Sequence, residues 1–243
     1  MKKNLFLSML CIISFTGFVH SEAVPASAPA AAPSRAVRPR GVVLPPEAFT
    51  TPTNYILVVN LNNSLDAEWL DNECRYMQKQ LNVRVEAQNV QAEVGADPRP
   101  FIDAIRKEHD GRAKIVIAVS EESGLAPILA APNDNWVVMD AGWVKRGGGD
   151  EEKINYRMER RIFQALGHCI GAGYRMERES VMRYTPVPEA LDDCLSHGFH
   201  PLNSNIFLVV AKGIGLELVS LRPRKELIEM GVLKPAQKKQ TKD

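Results

Sequence analysis

The chain has 243 residues, with 30 Lys and Arg against 29 Asp and Glu, for a formal charge of +1. That balance excludes a strongly basic chain overall and gives no support for nucleic-acid binding, so no nucleic-acid partner is expected. An apolar fraction of 45% suits a chain with a packed core.

Residues 1 to 23 read as a secretory signal. Lys2 and Lys3 supply the positive start, Leu5 to Val19 the apolar run, and Ser21-Glu22-Ala23 a small-residue cleavage site. The run is too short for a comfortable membrane span and no stop-transfer pattern follows it. Stable membrane insertion is therefore not expected, and the product is placed in a periplasmic or extracellular compartment; the competing reading is an uncleaved anchor. Cys11 lies inside the run rather than after it, which argues against a lipid-modified cysteine. Residues 24 to 48, rich in Ala, Pro and Ser, form an extended and semi-rigid linker. The folded domain is expected over 49 to 235, with a short basic tail over 236 to 243.

Residues Tyr55 to Leu61 make a continuous apolar run with β-branched members, the pattern of a buried strand. Ser64 is placed to cap a helix that runs to about Leu81, with Trp69, Leu70, Cys74, Met77 and Leu81 on its apolar side. Val83, Val85 and Ala87 alternate with polar residues and predict a half-buried strand. Pro98 and Pro100 suit the first turn of a second helix, which carries Phe101, Ile102 and Ile105 and stops near Gly111. Lys114 to Ser120 is a further buried strand. An irregular segment with Pro127 and Pro132 leads to Trp136-Met139, read as a strand near a sheet edge. Asp150 caps a long helix whose apolar stripe is Ile154, Met158, Ile162, Leu166 and Cys169, and Gly171 and Gly173 let the chain turn out. Pro188 opens a short helix. An apolar run from Ile206 to Val210 and a last helix around Arg224 to Met230 complete the domain. The order of elements indicates an α/β sheet with helices packed on it.

Cys74, Cys169 and Cys194 lie beyond the signal. An oxidising compartment suggests one disulfide and one leftover thiol; Cys169–Cys194 is the expected bridge, with Cys74 a buried thiol.

The stretch from 161 to 182 carries the chemistry that can be read. Gln164 and His168 are four apart and share a helix face, Gly171 follows, and Met182 sits in a nearby turn. This layout resembles the metzincin zinc peptidases, whose pattern is H-E-x-x-H-x-x-G-x-x-H followed by a Met-turn. Laid on that pattern, the chain has Gln164, Ala165, His168, Gly171 and Tyr174: the second histidine and the glycine match, and the first histidine, the glutamate and the third histidine do not. Within that clan the chain is similar to the archaemetzincins, whose motif continues as C-x4-C-x-M-x17-C-x2-C around a structural zinc. Here the spacing is kept, Met182 falls on the methionine, and Arg175, Ser180, His200 and Asn203 replace the cysteines. The resemblance implies a compact α/β metzincin-like fold with a mixed sheet, packed helices, a long active-site helix and a Met-turn.

Catalytic zinc needs about three protein ligands and an open position for water, and a carboxylate to take that water's proton. Gln164 offers only an amide oxygen, Tyr174 a phenol that ordinarily ionises near ~10, and Ala165 nothing. No catalytic residue and no bound metal are therefore expected. Cys194, His197 and His200, spaced three apart, are the alternative zinc or copper ligands, with His168 or Cys169 brought near. A Cys169–His197 nucleophile pair is a weaker alternative to a simple buried cysteine. The expected function is that of an exported pseudo-peptidase that binds a peptide or protein partner in the former substrate cleft or has a structural role. The alternative is an active zinc metallopeptidase with non-standard ligands. The expected docking edge is the segment around Trp136 to Asp140, with Tyr174 and Tyr184 on the far side, because extended peptides add to sheet edges through main-chain hydrogen bonds.

Overall fold

A computed structural model of the chain describes residues 44–121 and 126–234. The expected signal over 1 to 23, nearly all of the linker and the basic tail lie outside the described residues. The strands are β1 (Tyr55–Leu61), β2 (Val85–Val90), β3 (Ala113–Ser120), β4 (Ile128–Ala131) and β5 (Trp136–Asp140). They form one sheet in the order β2-β1-β3-β5-β4, with every pair parallel except the antiparallel β4–β5 pair. The helices are α1 (Ala67–Leu81), α2 (Arg99–Glu108), α3 (Ala141–Arg146), α4 (Glu151–Cys169), α5 (Pro201–Gly213) and α6 (Arg224–Glu229). No helix among the described residues is long and apolar enough to cross a membrane.

Strands β1, β3 and β5 read as nearly unbroken apolar runs because the sheet is covered on both faces there. On one face Ile56, Val58, Ile115, Ile117, Val137 and Met139 pack with the apolar stripes of α1 and α4. On the other, Leu57, Val59, Val116, Ala118 and Val138 meet Ile102 and Ile105 of α2. Each such buried aliphatic side chain contributes roughly 1.5–3 kcal/mol against the entropy of ordering the chain.

Several expectations change. The cap of α1 is Asp66, which accepts from the Trp69 amide at 2.8 Å. The hydroxyl of Ser64 is already used, donating to the Leu61 carbonyl and accepting from the Glu121 amide, which ties the end of β1 to the end of β3. Trp136 to Asp140 is not at the sheet edge: β5 lies between β3 and β4, and all five of its residues are buried. The edge strand on that side is β4, too short and too closely flanked by prolines for its period to be read. The Ile206 to Val210 run is the middle of α5. The residues after Pro188 form only a 3-10 turn, Pro188–Asp193. The domain also starts earlier than 49, because Ala48 is fully buried and Arg222 donates to the carbonyls of Glu47 and Phe49.

No bridge joins Cys169 and Cys194; these and Cys74 are free, buried thiols. The reason is position along α4. The Cys194 carbonyl accepts from Arg160 Nε at 2.7 Å and from Tyr156 Oη at 3.2 Å. Those residues lie nine and thirteen positions before Cys169, roughly 14–20 Å along the axis at 1.5 Å per residue, whereas bridged Cα atoms lie within about 7 Å. Burial pushes the thiols of Cys74 and Cys169 up to about 12.

Glu73 of α1 is buried beside α4, and its Oε1 has no partner among the described residues. Burial, then the Glu159 carboxylate, pushes its carboxyl up to about 8, with Arg160 opposing. Unfolded, the same group ionises near its ordinary 4.5. Between these values the folded chain holds a proton that the unfolded chain releases, so Glu73 lowers stability progressively as pH rises from about 4.5 to 8. Glu73→Gln should therefore match the parent in chemical denaturation at the acid end of this window. It should exceed the parent at the alkaline end by on the order of a few kcal/mol; a constant difference across the window would refute the assignment.

Candidate functional site

Helix α4 presents the site, and its two ends are fixed by local chemistry. At the start, Asp150 accepts from the Lys153 amide at 2.9 Å. At the end, Gly171 takes φ +74°, a left-handed conformation that favours glycine, and the Ala172 amide donates back to the Gly167 carbonyl at 2.9 Å. The chain that follows is clamped back onto the helix by arginines. Arg157, 1% exposed, binds both carboxylate oxygens of Asp192 at 2.6 and 2.8 Å. This fork holds the Asp192 carboxyl below its ordinary range. Arg160 donates to the Cys194 carbonyl and lies over the Tyr156 ring, 3.1 Å from its centroid.

Gln164 is fully buried and every polar atom of its amide is engaged. Its Nε2 donates to the Arg183 carbonyl at 2.7 Å and the Val181 carbonyl at 3.3 Å. Its Oε1 accepts from Thr185 Oγ1 at 3.2 Å and from Arg161 Nη1. One amide thus fastens the helix to the returning segment 181–185. Ala165 is fully buried in the core. His168 is half-buried and meets Tyr174 edge to face, with centroids 4.8 Å apart; Tyr174 meets Tyr184 the same way at 5.2 Å. Both tyrosines are more than half exposed. His168 Nε2 is buried and has no partner among the described residues. Met182 is fully buried under the helix, with its Sδ 2.1 Å from where a Cβ on Gly167 would stand. Only glycine at 167 lets the methionine close against the backbone.

Sequence reasoning missed Arg161. It is 4% exposed, lies over the Trp143 ring at 4.1 Å, and forms no ion pair among the described residues; its Nε is buried without a partner. Burial lowers its guanidinium to about 10, opposed by Tyr174 and Asp140, so it remains charged at neutral pH. Burial, and then this charge, pulls the His168 imidazole below its ordinary value. The guanidinium therefore bonds to Gln164 and acts electrostatically on both His168 and Tyr174. The available signal was spacing: Arg161, Gln164 and His168 at i, i+3 and i+7 share one helix face.

The other candidates lie apart. Cys194 is buried, His197 pairs Nδ1 with Glu159 Oε1 at 2.9 Å, and His200 caps α5 by accepting from the Leu202 amide. Among the described residues no three His, Cys, Asp or Glu side chains gather as a metal-binding group. Cys169 is at the far end of α4 from His197, so the two form no nucleophile pair. Of the four positions matched to structural cysteines, Arg175 and Asn203 meet, Nε to Oδ1, at 3.5 Å. Ser180 is buried and accepts from the Met182 amide at 3.1 Å.

No protein-family model matches the sequence, and no curated protein matches it. Among solved structures the chain is similar to an archaemetzincin from Methanopyrus kandleri, with a TM-score of 0.53 and 17% identity over 70% of this chain and 99% of that one. It is also similar to a zinc-dependent peptidase from Methanocorpusculum labreanum, with a TM-score of 0.50 and 12% identity over 62% of this chain and 99% of that one. The chain has an archaemetzincin-like, metallopeptidase-type α/β fold.

Alanine is the better helix former, yet Gly167→Ala should cost about 1–3 kcal/mol in equilibrium unfolding, because its methyl meets the buried Met182 side chain. Adding Met182→Ala should remove the steric part of that cost; full additivity of the two changes would contradict the close contact.

Proposed function

We propose that this chain is an exported pseudo-peptidase that keeps the peptidase scaffold to bind a peptide or protein partner and lacks peptidase chemistry. The observation that carries the reading is the state of Gln164. At the position of the first zinc histidine, both amide atoms are committed inside the protein, and one of them accepts from a cation. A zinc ion would need three donors facing an open position. Here one imidazole remains, the adjoining position is a guanidinium of like charge, and Tyr174 lies against His168 ring to ring. The donor set does not fit zinc. Ala165, in the position of the general base, is sealed in the core and can accept no proton.

Binding needs neither metal nor base. An extended peptide adds to an edge strand through main-chain hydrogen bonds, and the strand for this is β4 rather than β5. β4 runs to Pro132, whose Cβ lies 4.0 Å from where a Cβ on Gly171 would stand, at the turn after His168. The edge and the histidine end of α4 therefore adjoin, and the exposed Tyr174 and Tyr184 rings offer contact surface there. The apolar run and cleavage pattern of residues 1 to 23 support export.

Purified full-length chain dialysed against trace zinc should carry only substoichiometric metal by elemental analysis and cleave no peptide above background. Stoichiometric zinc that vanishes in His168→Ala, together with zinc-dependent peptide hydrolysis, would overturn the reading.

A further inference from the structure

Two buried nitrogens on one face of α4 have no partner among the described residues: Arg161 Nε and His168 Nε2. A guanidinium that is 4% exposed and in no ion pair among those residues, with the Asp140 carboxylate acting on it only without direct contact, is an expensive arrangement, because a buried charge is best tolerated when it is paired and hydrogen-bonded. The remaining polar contact in sight, Gln164 Oε1, is neutral and shared with Thr185. The Trp143 ring covers one face of the guanidinium and fixes its plane. His168, seven residues further along the helix, has its ring held by Tyr174.

We propose that Arg161 Nε and His168 Nε2 form a receptor for a carboxylate, carried by the C-terminus or an acidic side chain of the bound peptide. Both groups act as donors: the guanidinium has no acceptor, and a neutral imidazole protonated at Nε2 offers one N–H. A carboxylate has two oxygens and accepts from both, which supplies the missing charge and two bonds at once. The lowered basicity of His168 fits this role, since it keeps the ring neutral beside the arginine. Tyr174, 54% exposed and edge to face with the histidine, stands at the entrance. The ligand class rests on the peptide-binding reading above and narrows it to acidic or free C-terminal segments.

The test titrates the full chain with three peptides by calorimetry while the His168 imidazole nitrogens are followed by NMR. The peptides are acetyl-tetra-alanine as the free acid, acetyl-tetra-alanine as the amide, and acetyl-Ala-Glu-Ala-Ala amide. At least one carboxylate-bearing peptide should bind about ten-fold or more tightly than the neutral amide, the strength of a charge-assisted pair. It should also shift the His168 Nε2 resonance. The better of the two acids identifies the source of the carboxylate. Arg161→Met should erase the preference, and Arg161→Lys should retain part of it, which separates charge from folding. If all three peptides bind equally, the carboxylate receptor is wrong and the peptide-binding reading survives; if none binds, both fail.

Discussion

The site depends on one buried amide, that of Gln164. Gln164 holds the last turns of α4 to the segment that returns beneath it, through bonds to the carbonyls of Val181 and Arg183 and to Thr185. Arg161 supplies the remaining donor and brings a charge into the core with it. The two pieces of chain are thus joined by hydrogen bonds, and Arg161 adds a cation to the junction. Met182 closing on Gly167 is the packing half of the same junction, since it fixes the depth of the returning segment under the helix.

The rest of the domain supports that junction with polar contacts where the sequence led one to expect a disulfide. Arg157 and Arg160 bind Asp192 and the Cys194 carbonyl, so residues 188–194 are held to the first half of α4 while all three thiols stay free. At the matched structural-metal positions, Arg175 meets Asn203 and His200 caps α5. Buried arginines with forked or carbonyl partners give direction as well as energy, which suits them to positioning loops. Arg161 differs from Arg157 in forming no ion pair among the described residues, although the Asp140 carboxylate acts on its charge.

Much of this fold was legible in the sequence because its strands are buried on both faces and its long helix carries caps and a stripe. Asp150, the Ile154–Cys169 stripe and Gly171 delimit α4 by chemistry that acts locally. What escaped was tertiary in origin. Four residues between two prolines gave β4 no period to read, so the buried Trp136 strand was taken for the edge. Ser64 looked like a cap until β3 claimed its hydroxyl. Cys169 and Cys194 looked like partners because sequence gives no distance along a helix from a loop. Arg161 was passed over because a charge beside an apolar stripe is usually solvated, and only the Trp143 face and the Gln164 oxygen explain its burial. At the site itself, the spacing exposed the replaced residues at once, but the arginine among them required the structure.

The most direct test of a fixed, unpaired cation at this position is equilibrium unfolding of the full chain against Arg161→Met at neutral pH without peptide. Methionine occupies the space of the arginine stem, and Gln164 Oε1 retains its bond from Thr185. The variant should be at least as stable as the parent, because an unpaired buried charge has been removed. A loss of several kcal/mol would show that the guanidinium is already compensated within the folded chain, and would contradict the account.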